Sequence, residues 1–332
     1  MQHSIAQTVR LSRRFAVALL TVPLLGASVM AQSFPTKPLK IVLMFPAGGG
    51  SSDPQARLVA LKLKDELGQA VIVENKPGGG GIIAAEAVKA APADGYTLVH
   101  AGVAMMTLTP KLNSSAHYTD ADFTPVASFG TLPNVLVART EFPASNFTEL
   151  VALAKKKPGE INYGTWGPGS VPHVAGEWIS QELGIKLNPI PYKGEVPLIQ
   201  DMLGSQVSLG WSSLASALPY IKSGQFKALG ITSNTRHPLV PNVKTFIEQG
   251  MPNFTIQGWT GLFVRKGTPK EVIDLLHTKL AKVLQTQEVQ DHATSVGQRL
   301  PPLSIEQFSD LIKTDASRMM PTLDRLAPSL RQ

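Results

Sequence analysis

Residues 41–57 read IVLMFPAGGGSSDPQAR, an apolar run that enters a glycine- and serine-rich turn and leaves it through Asp-Pro. The direct reading is a buried strand over 39–45 and a helix from Pro54 to about Leu67. Asp53 is expected to cap that helix, and Pro54 suits its first position. Ala56, Val59, Ala60, Leu63 and Leu67 recur at helical spacing, and Gly68 stops the run. In the turn, Gly48 to Gly50 let main-chain amides converge, while Ser51 and Ser52 add hydroxyls. Such a helix start favours an anion by about 0.3–1 kcal/mol per exposed interaction.

The same grammar continues outward. AVIVEN (70–75) is a strand, KPGGGG a loop, IIAAEAVKAA a helix and YTLVHA a third strand. After a middle section, INYGT (161–165) leads through WGPGS into the helix VPHVAGEWISQELG. KLNPIPY then leads into KGEVPLIQDMLG, VSLGW into SS and the helix LASALPYIKSG, and FKALGIT closes the set. Strands alternating with helices predict an α/β fold with parallel sheets in two units. PNVLVAR (133–139) and QGWTGLFVR (257–265) are extended apolar stretches, read as two crossings between the units. The first domain is therefore expected at 32–132 and 257–332, the second at 133–256, in a hinge-type clamp. Ligands of open parallel sheets bind outside the strands' carboxyl ends, where these Gly/Ser/Thr loops fall.

Of the 332 residues, 43% are hydrophobic, enough for a full core. Residues 1–31 form an export signal: Arg10, Arg13 and Arg14, then FAVALLTVPLLGASVM, then Val29 and Ala31 ahead of a cut near Ala31. SRRFAVA is a loose twin-arginine match, so the general secretory route is favoured. Cysteine is absent, which excludes disulfides, thiolate metal sites and lipid attachment to a cysteine after the signal. These features together predict a periplasmic protein free in solution and monomeric. Three arginines and no acid leave with the signal, so the formal charge falls from +7 to +4. KKK at 155–157 is a solvated helix end rather than a nucleic-acid patch.

Phosphate-binding and catalytic patterns are missing. There is no G-x-x-x-x-G-K-[ST], no G-x-G-x-x-G, no HExxH and no G-x-S-x-G. The seven histidines show no metal-ligand spacing, so neither metal nor cofactor is expected. A glycine-rich turn holding nothing is the plain alternative for one loop, and it weakens as the pattern recurs at 78–81 and 166–170. Binding is favoured over catalysis.

The motifs FPAGGGSSDPQAR, VENKPGGGG, GYTL, INYGTWGPGSVPHVAGE, PYKGEVPLIQDMLGSQV, ALGITSNTRHPLVPNVKTFIEQG and WTGLFVRKGTP occur in that order. From about Phe34 onward the chain resembles the periplasmic receptors of the tripartite tricarboxylate transporter family, the Bug receptors. The resemblance implies a type II-like periplasmic binding protein with a carboxylate solute between two α/β domains. It also implies delivery of that solute to membrane transporter subunits, or to a sensor kinase. Phe45, Ala47, Gly48, Ser51 and Ser52 would hold one carboxylate, and Thr165, Gly169, Ser170 and His173 would close on it. Tyr192 and Lys193 belong to the motif, with Lys193 either a counter-ion or solvated. Asp53, Gly79, Gly80, Ala101 and Gly102 complete the candidate ligand-facing set.

Departures from the family pattern bear on specificity. YGTWGPGS stands where many relatives read YxSxGxGS, and VSLGWS where they often read VDLMFD. Trp166 is open to two readings, interdomain packing or an aromatic face for a flat ligand. Trp211 adds a second indole, and Ser208 and Ser212 replace acids that would repel a second carboxylate. His100 either donates to that carboxylate or is a packed strand-end histidine. The favoured ligand is a dicarboxylate such as a terephthalate or phthalate isomer, with citrate or an amino acid as alternatives. An enzyme on the same architecture is the less favoured class.

Overall fold

β1 (Leu39–Leu43) is buried along its length except at Lys40, as a central strand covered on both faces must be. The computed structural model describes residues 34–330 apart from 49, 50, 253, 255 and 257. The export signal expected at 1–31 lies outside the described residues. β1 pairs in parallel with β2 (Val71–Asn75) and β3 (Thr97–Gly102). Between them run α1 (Ser52–Leu67) and α2 (Ile82–Ala90). Ala56, Val59, Ala60 and Leu63 of α1 face the core, and Gly68 ends the helix with φ 66 and its N–H on Lys64 O.

A short turn of helix, α3 (Thr109–Leu112), precedes β4 (Phe123–Leu132). Pro125 and Gly130 punctuate β4 and hide it in the sequence, since both residues normally mark strand ends or bulges. The chain then builds a second sheet from β5 (Asn134–Arg139), α4 (Phe147–Lys156), β6 (Ile161–Thr165) and α5 (Val171–Leu183). β7 (Leu187–Pro191), α6 (Glu195–Leu203), β8 (Leu209–Ser213), α7 (Leu214–Lys222) and β9 (Phe226–Ile231) complete it. β10 (Gly258–Arg265) returns to the first sheet, followed by α8 (Lys270–Leu284), α9 (Gln287–Ser295) and α10 (Ile305–Leu330).

The sheets have orders β2-β1-β3-β10-β4 and β7-β6-β8-β5-β9. Neither is purely parallel, which corrects the expectation from the strand–helix alternation. β10 runs antiparallel to β3 and β4, and β5 runs antiparallel to β8 and β9. The reason lies in the crossing. Only Pro133 separates β4 from β5, with Leu132 paired to Gly258 and Asn134 to Ser213 at the carboxyl end of β8. A strand that enters a sheet at its carboxyl edge has to run back against its neighbours. The same geometry sets the carboxyl edges of the two sheets toward each other.

One apolar cluster packs α1, α8 and α9 on the first sheet, through Leu63, Leu276 and Val289 among others. A second packs α6 and α7 on the other sheet. The largest runs through both halves and joins Val99, Trp259 and Phe308 to Tyr163, Trp178 and Trp211. α10 spans about 39 Å at 1.5 Å per residue. It ties the halves by accepting from Trp259 Nε1 through Asp315 (2.8 Å) and pairing Arg325 with Glu182 on α5 (3.5 Å).

Candidate functional site

The β1–α1 loop is held from below by one carboxylate. Asp53 Oδ2 accepts from the Gly48 amide (2.9 Å) and Arg57 Nε (3.0 Å), and Oδ1 accepts from Asn75 Nδ2 (2.8 Å). The same Asn75 nitrogen donates to Phe45 O (3.0 Å), and Arg57 donates to Asn75 Oδ1 (2.8 Å). Asp53 is 4% exposed, so it is a loop anchor rather than a ligand contact. It is not the helix cap either: α1 starts at Ser52, and the Asp53 carboxylate reaches back to Gly48 instead. Burial pushes its pKa up, but hydrogen bonds from Arg57, Asn75 and Gly48 hold it below the ordinary aspartate value.

That anchoring leaves the helix start open. The first helical bond of α1 runs from Gln55 N to Ser51 O, so the amides ahead of Gln55 have no intrahelical partner. Among the described residues, the half-buried Ser51 and Ser52 hydroxyls make no side-chain hydrogen bond. Phe45 is half-buried beside them, and Ala47 and Gly48 are exposed. Gly79 and Gly80 form an exposed turn with φ 58 and 65. Thr109 Oγ1 donates to Gly80 O (2.9 Å) and would meet any Cβ there at 2.6 Å.

His100, Ala101 and Gly102 lie within β3 and are buried. Gly102 is required by strand packing, because a Cβ there would stand 2.5 Å from Trp259 O. His100 is fully buried between Phe129 (5.1 Å between ring centroids) and Phe45 (6.4 Å), and neither ring nitrogen has a partner among the described residues. The structure thus shows His100 packed at the end of the strand between two rings. Burial lowers its pKa to about 4. Unfolded, the ring takes up a proton near pH 6.5, so stability is full above that pH and declines as pH falls toward 4. A decline of roughly 3 kcal/mol over this window is expected in urea melts, and His100→Leu should flatten it.

The second loop follows β6. Thr165 is buried, and Gly167 N lies 3.4 Å from its hydroxyl. Gly169, at φ 69, donates its amide to His173 Nδ1 (3.0 Å), and Ser170 Oγ donates to Gly167 O (2.6 Å). The Ser170 hydroxyl, the Gly169 amide and the inner face of His173 therefore hold the loop's shape rather than stand free. The first bond of α5 runs from Val174 N to Ser170 O, which leaves the Val171 and His173 amides open. His173 is half-buried, and burial lowers its pKa.

Trp166 is half-buried with its Nε1 on Trp211 O (3.1 Å), so its ring is tethered at the loop. Trp211 is 1% exposed and packed on Phe246 (5.4 Å) and Phe254 (6.2 Å), a core position. Ser212 is also buried and donates to Glu195 Oε1 (2.7 Å). Both were expected to face the ligand and both are buried for one reason: β8 is an interior strand, and its side chains go into the two faces of the sheet. Glu195 also accepts from the Ser213 amide and hydroxyl and from Ser216 Oγ (3.0 Å), joining the start of α6 to that of α7. Burial raises its pKa against these four donors. Tyr192 bonds Thr165 O through its amide (3.0 Å), and burial lifts its phenol to about 12. Lys193 is exposed and has no partner among the described residues.

Three residues that organise the site escaped the sequence reading: Arg57, Asn75 and Glu195. A polar residue closing an apolar strand, as in VIVEN, and an acid in the first turn after Gly194 were the available signals.

Two α/β layers joined at their carboxyl edges, with open helix starts on each side, define a solute-binding clamp of the periplasmic binding protein class. The model of the tripartite tricarboxylate transporter family receptor matches residues 55–327, and the chain belongs to that family. Its structure is similar to periplasmic binding protein BugD, with TM-score 0.81 and 31% identity over 90% of this chain and 100% of that one. It is also similar to MatC from Rhodopseudomonas palustris with bound malate, with TM-score 0.80 and 29% identity over 87% and 100%. A further R. palustris protein, Rpa4515 with adipate, gives TM-score 0.80 and 28% identity over 88% and 97%. The fold expected from the sequence, a two-domain α/β binding protein, is thereby shown.

Proposed function

We propose that this receptor captures an aliphatic dicarboxylate in the periplasm and releases it unchanged to membrane transporter subunits, acting as a monomer with domains at 32–132 plus 257–332 and at 133–256. The observation that carries the reading is the pair of uncapped helix starts, at Ser51–Asp53 and at Val171–His173, on the facing carboxyl edges. Micromolar affinity corresponds to about −8 kcal/mol. Hydrogen bonds to a charged group contribute roughly 1.5–3 kcal/mol each, so three or four such donors suffice. An aliphatic chain is favoured over the aromatic diacid suggested by the two indoles, because Trp211 is buried and Trp166 is tethered to it. The malate and adipate held by the similar R. palustris proteins point the same way.

Calorimetry with malate, succinate, adipate, terephthalate, citrate and glutamate tests the proposal. An aliphatic diacid should bind tightest and be recovered intact, whereas tighter binding of terephthalate or glutamate would refute the ligand class. Turnover of the solute would refute the receptor reading. Ser52→Ala should weaken the diacid by about 0.5–1.5 kcal/mol through the lost hydroxyl. Lys193→Ala, at an exposed solvated ammonium, should change affinity by less than about 0.5 kcal/mol.

A further inference from the structure

Where the two sheets meet, a cavity of about 100 Å³ is lined by Thr131, Pro133, Ser233, Asn234, Thr235, His237 and Arg299. At about 30 Å³ per water, it has room for roughly three waters or one four-oxygen anion. Its walls come from both halves of the molecule. Thr131 and Arg299 are locked together by reciprocal main-chain hydrogen bonds of 2.9 and 3.0 Å, while Ser233 and Thr235 follow β9.

Charge in this cavity is unbalanced. The Arg299 guanidinium has no carboxylate or other side-chain partner among the described residues. The neighbouring Arg236 is already paired with Glu248 (2.9 Å), and no acid lines the space. His237 Nδ1 accepts from the Leu239 amide (3.2 Å), so its ring is neutral. The Ser233 hydroxyl is committed to Thr235 O (2.6 Å), whereas those of Thr131 and Thr235 have no partner among the described residues. A guanidinium fork with two free hydroxyls, on walls facing from different sides, suits a compact oxyanion better than a long solute.

We infer that this cavity is a second binding site, for a small tetrahedral oxyanion of the phosphate or sulfate type, with Arg299 as its cation and Thr131 and Thr235 as hydroxyl donors. It is separate from the solute clamp. β4 lies three strands from β1, and β9 three strands from β6, about 14 Å in each sheet at the usual spacing. Because its donors belong to both sheets, occupancy depends on how the two halves are set against each other.

Calorimetric titration of the full chain with inorganic phosphate, sulfate and acetate tests the site. Phosphate and sulfate should saturate it at millimolar concentration and acetate should bind more weakly. Arg299→Gln should weaken phosphate about tenfold and Thr131→Val about threefold, with Ser52→Ala leaving it unchanged. Raising sodium chloride should weaken binding, since the arginine is exposed. Equal phosphate affinity in wild type, Arg299→Gln and Thr131→Val overturns the inference, as does an absence of saturable binding. A loss in Ser52→Ala as large as that in Arg299→Gln would place the ion in the clamp and also overturn it.

Discussion

Asp53→Ala is expected to destabilise the protein by roughly 2–4 kcal/mol and to weaken the solute by about 30-fold or more. The substitution removes the shared acceptor of Gly48 N, Arg57 Nε and Asn75 Nδ2. Two of those donors, Gly48 and Asn75, fix the loop that carries Ser51 and Ser52, since Asn75 also holds Phe45 O. Loss of the anchor frees the chain between Phe45 and the helix start at Ser51 and Ser52. Arg57 is half-exposed, so its ion pair contributes less than the amide contacts. Asp53→Asn keeps the shape but turns an amide toward at least one donor, and should recover only part of the loss. Because the folded pKa is depressed, the anchor's contribution is full above about pH 4 and is lost as pH falls below that. Thermal melts and calorimetry on the two variants read both effects. Wild-type solute affinity in Asp53→Ala would remove the loop-anchor account.

Gly130→Ala is expected to have the largest effect on folding. Gly130 sits at φ 79, where a Cβ would lie 1.8 Å from Arg299 O, against backbone that cannot rotate away. Left-handed strain of about 1–3 kcal/mol adds to overpacking of about 1–3 kcal/mol. The sum, roughly 2–6 kcal/mol, should lower Tm on the order of 10 °C. Gly184→Ala is the control: its φ is 61 but nothing stands within 4 Å of the added Cβ. That change should cost about 1–2 kcal/mol. Similar melts for the two variants would show that the Thr131–Arg299 pairing is not tightly packed in solution.

The strand–loop–helix units were legible because their signals are local. Residues 41–57 and 161–183 each state an apolar strand, a Gly/Ser turn and an amphipathic helix within a few residues, and α1 and α5 form there. The ordered motifs made the receptor family readable as well. β4 was not legible, since Pro125 and Gly130 interrupt a pattern that only its pairing with β10 rescues. Among candidate site residues, Ser51 and Ser52 were expected from the chemistry of a helix start, and Arg57 and Asn75 were missed because their roles are toward Asp53, not toward a ligand.

The amino-acid sequence by itself determined the strand–loop–helix units of an α/β chain, because strand periodicity and turn chemistry act over a few residues, and its ordered motifs carried the resemblance to the receptor family. Tertiary structure alone decided which expected contacts are available. Trp211, Ser212, His100 and Asp53 look like ligand-facing residues in one dimension, yet each is buried. Burial depends on which strand is interior and which side of the sheet a side chain takes, and those are settled by pairings between residues tens to hundreds of positions apart.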